Sequence, residues 1–162
     1  MTNLRIGYGI DVHQLKDGLK LTIGGVSISS DFGALGHSDA DVLLHAICDA
    51  LLGALALRDI GFHFPDNNEH YKGIDSCILL SDVYNKIKNN NYRLVNLDST
   101  VILEKPKLNP HIPLMQEKIS QLLECETNQI SIKATTHEKM DSFGEGKAIK
   151  AYCVCMLEKV LK

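Results

Sequence analysis

The sequence predicts an α/β chain folded as a single domain, and three observations carry that prediction. Apolar residues alternate with a period of two over 5–13, recur at helical spacing after Gly36, and return to the strand period over 129–136 and 148–157. At 162 residues the chain can bury one sizeable core, and no break in composition marks a second domain, so 1–162 reads as one unit. The five cysteines, Cys48, Cys77, Cys125, Cys153 and Cys155, are odd in number and widely scattered. That argues against a disulfide framework and for small buried apolar groups.

In chain order, 5–13 places Ile6, Tyr8, Ile10 and Val12 on one face of a strand and Gly7, Gly9, Asp11 and His13 on the other. The glycines remove bulk from the face that carries a carboxylate and an imidazole, so another backbone or subunit can approach closely there. A turn at 16–18 leads to a strand over 19–23 that ends at Gly24 and Gly25, with Val26, Ser27 and Ile28 as a short continuation. Residues 29–36 read as a turn-rich linker. A helix is then expected from Ser38 as N-cap, with Asp41 at its third position, to about Leu57. His37, Asp41 and His45 stand four apart and, where the segment is helical, point to one side.

Residues 58–68 form a long non-periodic segment whose polar groups local structure does not require. A helix beginning at Asp75 or Ser76 carries Ile78, Leu79, Val83 and Ile87 on its apolar side, and an extended region follows over 92–103. Two prolines prevent a regular ladder over 104–110, where lysines stand ready for phosphate. The helix expected over 111–123 packs Ile112, Met115, Ile119 and Leu122 and accommodates Pro113 in its first turn. Strands over 129–136 and 148–157 close the chain, the second apolar on both faces, as suits a central strand or one covered by a partner subunit. The polar turn between them offers hydroxyls, backbone donors and a carboxylate to phosphate and an accompanying divalent ion.

A formal charge of -3 and a sequence pI near 6.1 supply no basic field for nucleic acid. No apolar run reaches membrane-spanning length and no signal-peptide core is evident, so the expected location is cytoplasmic, or a plastid-type compartment if a targeting segment was removed. Asp11 and His13 on a strand and His45 on a helix form a suitable three-ligand zinc shell with an open fourth position. Spacing alone does not bring them together. On this pattern a metal-dependent hydrolase, a structural metal module and a phosphoryl-transfer enzyme fit equally well.

Several separated motifs, in order and covering nearly the whole chain, resemble the 2-C-methyl-D-erythritol 2,4-cyclodiphosphate synthase family. They are Gly9-Ile10-Asp11-Val12-His13, Ser38-Asp39-Ala40-Asp41 followed by His45-Ala46, Asp59-Ile60-Gly61, Phe64-Pro65-Asp66, Pro106-Lys107, Pro110-His111-Ile112-Pro113 and Lys133-Ala134-Thr135-Thr136-His137-Glu138-Lys139. The resemblance implies a mixed β sheet packed against helices, assembled as a homotrimer with interfacial active sites. It assigns Asp11, His13 and His45 to Zn2+, and Glu138 to a second divalent cation, Mg2+ or Mn2+. His37 and Ser38 match groups at the reacting phosphates, and His37 and Thr136 are the candidates for transition-state positioning. Asp59, Ile60, Gly61, Phe64, Pro65, Asp66, Asn67 and Asn68 match segments around the methylerythritol portion. Leu103, Glu104, Lys105, Pro106, Lys107, Leu108 and Asn109, with Thr135, Thr136, His137 and Glu138, match the cytidine and diphosphate pocket. The implied substrate is the phosphorylated cytidylyl methylerythritol; a phosphatase or an inactive cytidine diphosphate-binding protein is the alternative. Two departures stand out. Ala40 replaces the commonest glycine and is expected to be tolerated as a second helical residue, and Ser142 and Glu145 stand where many members carry an aromatic and an arginine.

Overall fold

The computed structural model describes residues 3–65, 67–68 and 71–160. Its five-stranded sheet has the order β4-β1-β7-β5-β6, from β1 (Leu4–Asp17), β4 (Phe32–Leu35), β5 (Tyr92–Ile102), β6 (Ile130–Thr135) and β7 (Ala148–Lys159). All neighbours are antiparallel except β5 and β6. A separate hairpin joins β2 (Leu21–Ile23) to β3 (Val26–Ile28). Its two turn residues, Gly24 and Gly25, have φ of 62° and 72°, which a tight hairpin of this hand requires and which side chains resist.

Helix α1 (Val42–Ala54) lies between the sheet and α3 (Ser76–Asn89), and most of its surface is buried. Leu43, Leu44, Ile47, Leu51 and Leu52 are fully enclosed. Each contributes about 1.5–3 kcal/mol by leaving water. What lets α1 approach is the pair of glycines in β1. A Cβ on Gly9 would stand 2.0 Å from the carbonyl oxygen of Ala46. The polar-and-glycine face of β1 is therefore the covered one, and the apolar face is open: Ile6, Tyr8, Ile10 and Val12 are 68, 58, 43 and 46% exposed. β7 sits in the middle of the sheet with Ile149, Ala151, Cys153, Cys155 and Leu157 buried under the helices, while Val154 joins the open face beside Tyr8. The reading of β7 as a central strand therefore holds, and its second apolar face is open in the single chain.

Several local expectations are corrected. The N-cap of α1 is Asp41, whose carboxylate accepts from Leu44 N at 3.1 Å, and the helix stops at Ala54. Asp41 does not face His45's side. It is fully buried and also accepts from Gly24 N at 2.9 Å and Gly25 N at 2.7 Å, fastening the β2–β3 turn to the helix. Ala40 precedes the helix in the left-handed region (φ 57°), which explains a glycine preference better than room for a methyl group. The 29–36 linker contains β4, because Phe32 to Leu35 can complete the ladder of β1. Residues 60–63 form a single helical turn, α2 (Ile60–His63), capped by Asp59. Ile78 of α3 points outward, 53% exposed, while Leu80 takes the inner position. Helix α4 (Ile112–Leu122) buries Met115 and Ile119 as expected, and the turn before β7 contains α5 (Asp141–Gly144). All five cysteines are free. Among the described residues no helix is long and apolar enough to cross a membrane.

Candidate metal centre and cavities

β1 and α1 deliver the three expected ligands to one point. Asp11 Oδ2 lies 2.8 Å from His13 Nε2 and 2.9 Å from His45 Nδ1, and the two imidazole nitrogens are 3.2 Å apart. Donors of a tetrahedral zinc shell are separated by about 3.3 Å, so the three groups would need to spread only by a few tenths of an ångström to seat a cation. The chemistry of the donor set fits as well. His13 Nδ1 is 3.0 Å from the carbonyl oxygen of Leu35, which can only accept, so that nitrogen carries a proton, and in the neutral ring Nε2 presents a lone pair to the centre. Gly36 makes room for this ring: a Cβ there would lie 3.1 Å from His13 Cε1. His45 Nε2, on the outer side, contacts Ser76 Oγ at 2.9 Å and Ser38 Oγ at 3.1 Å.

Electrostatics agree with the geometry. Burial works to raise the Asp11 carboxyl, but hydrogen bonds and charge from His13 and His45 outweigh it and hold the group at about 2. Burial opposes protonation of His13, yet its contact with Asp11 shifts that imidazole upward. The arrangement favours net positive charge between the three groups.

The cluster opens into a cavity of about 420 Å³ that His37, Ser38, Ile60, Gly61 and Phe64 also line. Tyr71, Ile74 and Leu79 complete its wall; none was anticipated, since they come from segments whose local pattern says only loop or helix. Asp49, likewise missed, sits one turn beyond His45 and accepts from Ile60 N at 2.7 Å, pinning α2 at the cavity edge. Asp59 acts as the α2 cap through Phe62 N at 2.8 Å. Pro65, Asn67 and Asn68 are not among the described residues lining this cavity, and Asp66 lies outside the described residues.

A second cavity, about 240 Å³, gathers Leu103, Pro106, Lys107, Leu108, Asn109, Thr135 and Thr136. Glu104 accepts from His137 N at 2.8 Å, tying the two loops together, and Lys105 belongs to the same loop. Glu138 accepts from Thr136 Oγ1 at 2.9 Å on the exposed rim. Among the described residues the two cavities share no lining residue. Asp11, Ala151, Val101 and Ala134 form one row across β1, β7, β5 and β6. Three strand spacings, about 14 Å, therefore separate the strands that carry them. A further space of about 470 Å³ lies behind the loop of Ser38 and Asp39, away from the imidazoles.

Fold and site together define a small α/β protein with an Asp-His-His metal-type cluster at the mouth of a cavity. Residues 4–158 match the YgbB family, and the chain belongs to that family. It is 53% identical over 156 residues to 2-C-methyl-D-erythritol 2,4-cyclodiphosphate synthase of Fusobacterium nucleatum, covering 96% of this chain and 98% of that one. Identity to the synthase of Chloroherpeton thalassium is 55% over 157 residues, covering 97% and 100%. A solved structure of 2C-methyl-D-erythritol-2,4-cyclodiphosphate synthase superposes with a TM-score of 0.89 at 35% identity, covering 95% of this chain and all (100%) of that one. The Plasmodium falciparum protein IspF in complex with CDP gives 0.87 at 36% identity, covering 99% of each.

Proposed function

We infer that the chain converts 4-diphosphocytidyl-2-C-methyl-D-erythritol 2-phosphate to 2-C-methyl-D-erythritol 2,4-cyclodiphosphate and CMP. The observation that carries this reading is the end-to-end similarity to synthases of that name, combined with an intact Asp11–His13–His45 cluster at a cavity. An oxygen of the substrate's 2-phosphate attacks the β phosphorus. As that bond forms, the bond from the β phosphorus to the oxygen bridging the α phosphate breaks, and CMP leaves with that oxygen and its electron pair. The nucleophile belongs to the substrate, so no side chain becomes covalently attached. A zinc ion held by Asp11, His13 and His45, with a magnesium or manganese ion held by Glu138, would supply charge neutralisation at the two phosphates.

His37 and Ser38, at the mouth of the larger cavity, hold the reacting phosphates, with Ile60, Gly61 and Phe64 around the methylerythritol carbons. The smaller cavity takes the cytidine, and the hydroxyl of Thr136 orients the diphosphate. Because the two cavities of one chain are apart, the complete site is assigned to the boundary between subunits of a homotrimer. The open apolar face of Ile6, Tyr8, Ile10, Val12 and Val154 supports that assembly, since a face of this kind is costly to leave in water. Incubation with the cytidylated substrate is the test: CMP and the cyclic diphosphate should appear in equal amounts. A linear product with orthophosphate would instead make the protein a phosphatase.

A further inference from the structure

His45 can serve a metal through Nδ1 only if its proton sits on Nε2, and the neutral ring is free to choose either nitrogen. Two hydroxyls touch Nε2, and they differ in what they can impose. Ser38 Oγ already accepts from Ala40 N at 3.2 Å, and among the described residues no acid accepts its proton, so it can either give or take a hydrogen bond at His45. Ser76 is different. Its hydroxyl donates to Asp39 Oδ1, and its backbone N–H donates to Asp39 Oδ2 at 3.2 Å. With its only proton committed to a carboxylate, Ser76 Oγ has nothing but lone pairs to offer the imidazole 2.9 Å away.

Resting on the metal reading above, we propose that Asp39 and Ser76 form a positioning relay that fixes His45 as the Nε2–H tautomer and so aims the Nδ1 lone pair at the metal. Ser76 is fully buried at the start of α3, and Asp39 is held by Asp41 N at 3.3 Å, so neither group is free to turn. The relay also links three separate segments: the loop before α1, α1 itself and the N-terminus of α3. It explains why a polar residue occupies the first, fully enclosed position of α3, where the neighbouring Asp75 already caps the helix through Cys77 N at 2.8 Å. His13 has a simpler device, the carbonyl of Leu35; His45, on a helix whose own carbonyls are engaged, has among the described residues no comparable backbone acceptor beside Nε2 and needs a hydroxyl whose direction is set from outside.

The test uses the full chain, with zinc alone as the probe. Ser76→Ala leaves Ser38 as the remaining partner of Nε2 and should weaken zinc binding about 10–100-fold, measured by competition with a chromogenic chelator. Asp39→Ala removes the acceptor of the Ser76 hydroxyl proton, leaves that proton able to turn toward His45 Nε2, and should weaken zinc at least as much. Two further readouts separate this from a packing role. The unfolding midpoint in the presence of chelator should fall modestly for Ser76→Ala, as the loss of one buried hydrogen bond to Asp39 requires, while the rise produced by zinc shrinks in addition. In zinc-loaded protein with nitrogen-15 histidine, the slowly exchanging Nε2 proton signal of His45 should be lost or exchange faster in both variants. Parental zinc affinity together with an unchanged Nε2 signal in the variants would overturn the relay. Failure of the parent protein to bind zinc would instead overturn the metal reading on which it rests.

Discussion

The carbonyl oxygen of Ala50 occupies the place where a side chain on Gly7 would begin: a Cβ built there would stand 1.8 Å from it. Helix and strand touch backbone to backbone, and the same approach one turn earlier, at Gly9 and Ala46, carries His45 to the level of Asp11 and His13. Gly9→Ala should therefore push α1 off the sheet, cost about 3 kcal/mol or more, and lower zinc content along with stability. Urea unfolding and metal analysis on the same sample check this. A parental midpoint would mean that the helix can slide without penalty.

Asp41→Ala should destabilise by about 3 kcal/mol, because it removes the α1 cap and strands the N–H groups of Gly24 and Gly25. Its effect should be on folding alone. Protein that remains folded should still carry zinc, since the Asp41 carboxylate takes no part in the Asp11–His13–His45 cluster. Loss of zinc from well-folded protein would place Asp41 nearer the metal than its hydrogen bonds do.

These two residues mark what could be read from the sequence. Alternation shows that β1 has two faces, and although apolar content alone would cover the other one, Gly7 and Gly9 already mark the face that a second backbone can approach. What decides the matter is how closely a helix backbone can approach, and glycine permits that where isoleucine does not. Asp41 is legible as a helix-start residue because capping is local; its bonds to Gly24 and Gly25 are not, since they depend on a hairpin folding back across 16 residues. The cluster itself was legible from residue type and ordered motifs. Tyr71, Ile74, Leu79 and Asp49 were not, because a cavity wall is assembled from segments that share no periodicity with one another.

The two metal assignments should be separable. His45→Ala should diminish bound zinc, whereas Glu138→Gln should leave zinc near normal and raise the magnesium or manganese concentration needed for CMP release. Metal analysis followed by ion titration at saturating substrate distinguishes them. Parental zinc, turnover and ion dependence in both variants would reduce His45 to a packing residue and Glu138 to a solvated turn carboxylate.

A charge on the open sheet face should block association without touching the metal cluster. Tyr8 and Val154 are register partners there, both well exposed in the single chain. Val154→Asp should yield folded monomers by light scattering, with zinc still bound and cyclisation lost. An active monomer would remove the need for a shared site.

The placement of β7 and β5 between the two cavities has a genetic consequence. If each working site borrows one cavity from each of two chains, damage to either cavity is recessive in a mixed assembly. A chain carrying His45→Ala still offers a sound Thr136 cavity, and a chain carrying Thr136→Ala still offers a sound zinc cluster. Refolded together, two inactive proteins should regain part of the parental rate, because some boundaries in every hybrid pair an undamaged half with an undamaged half.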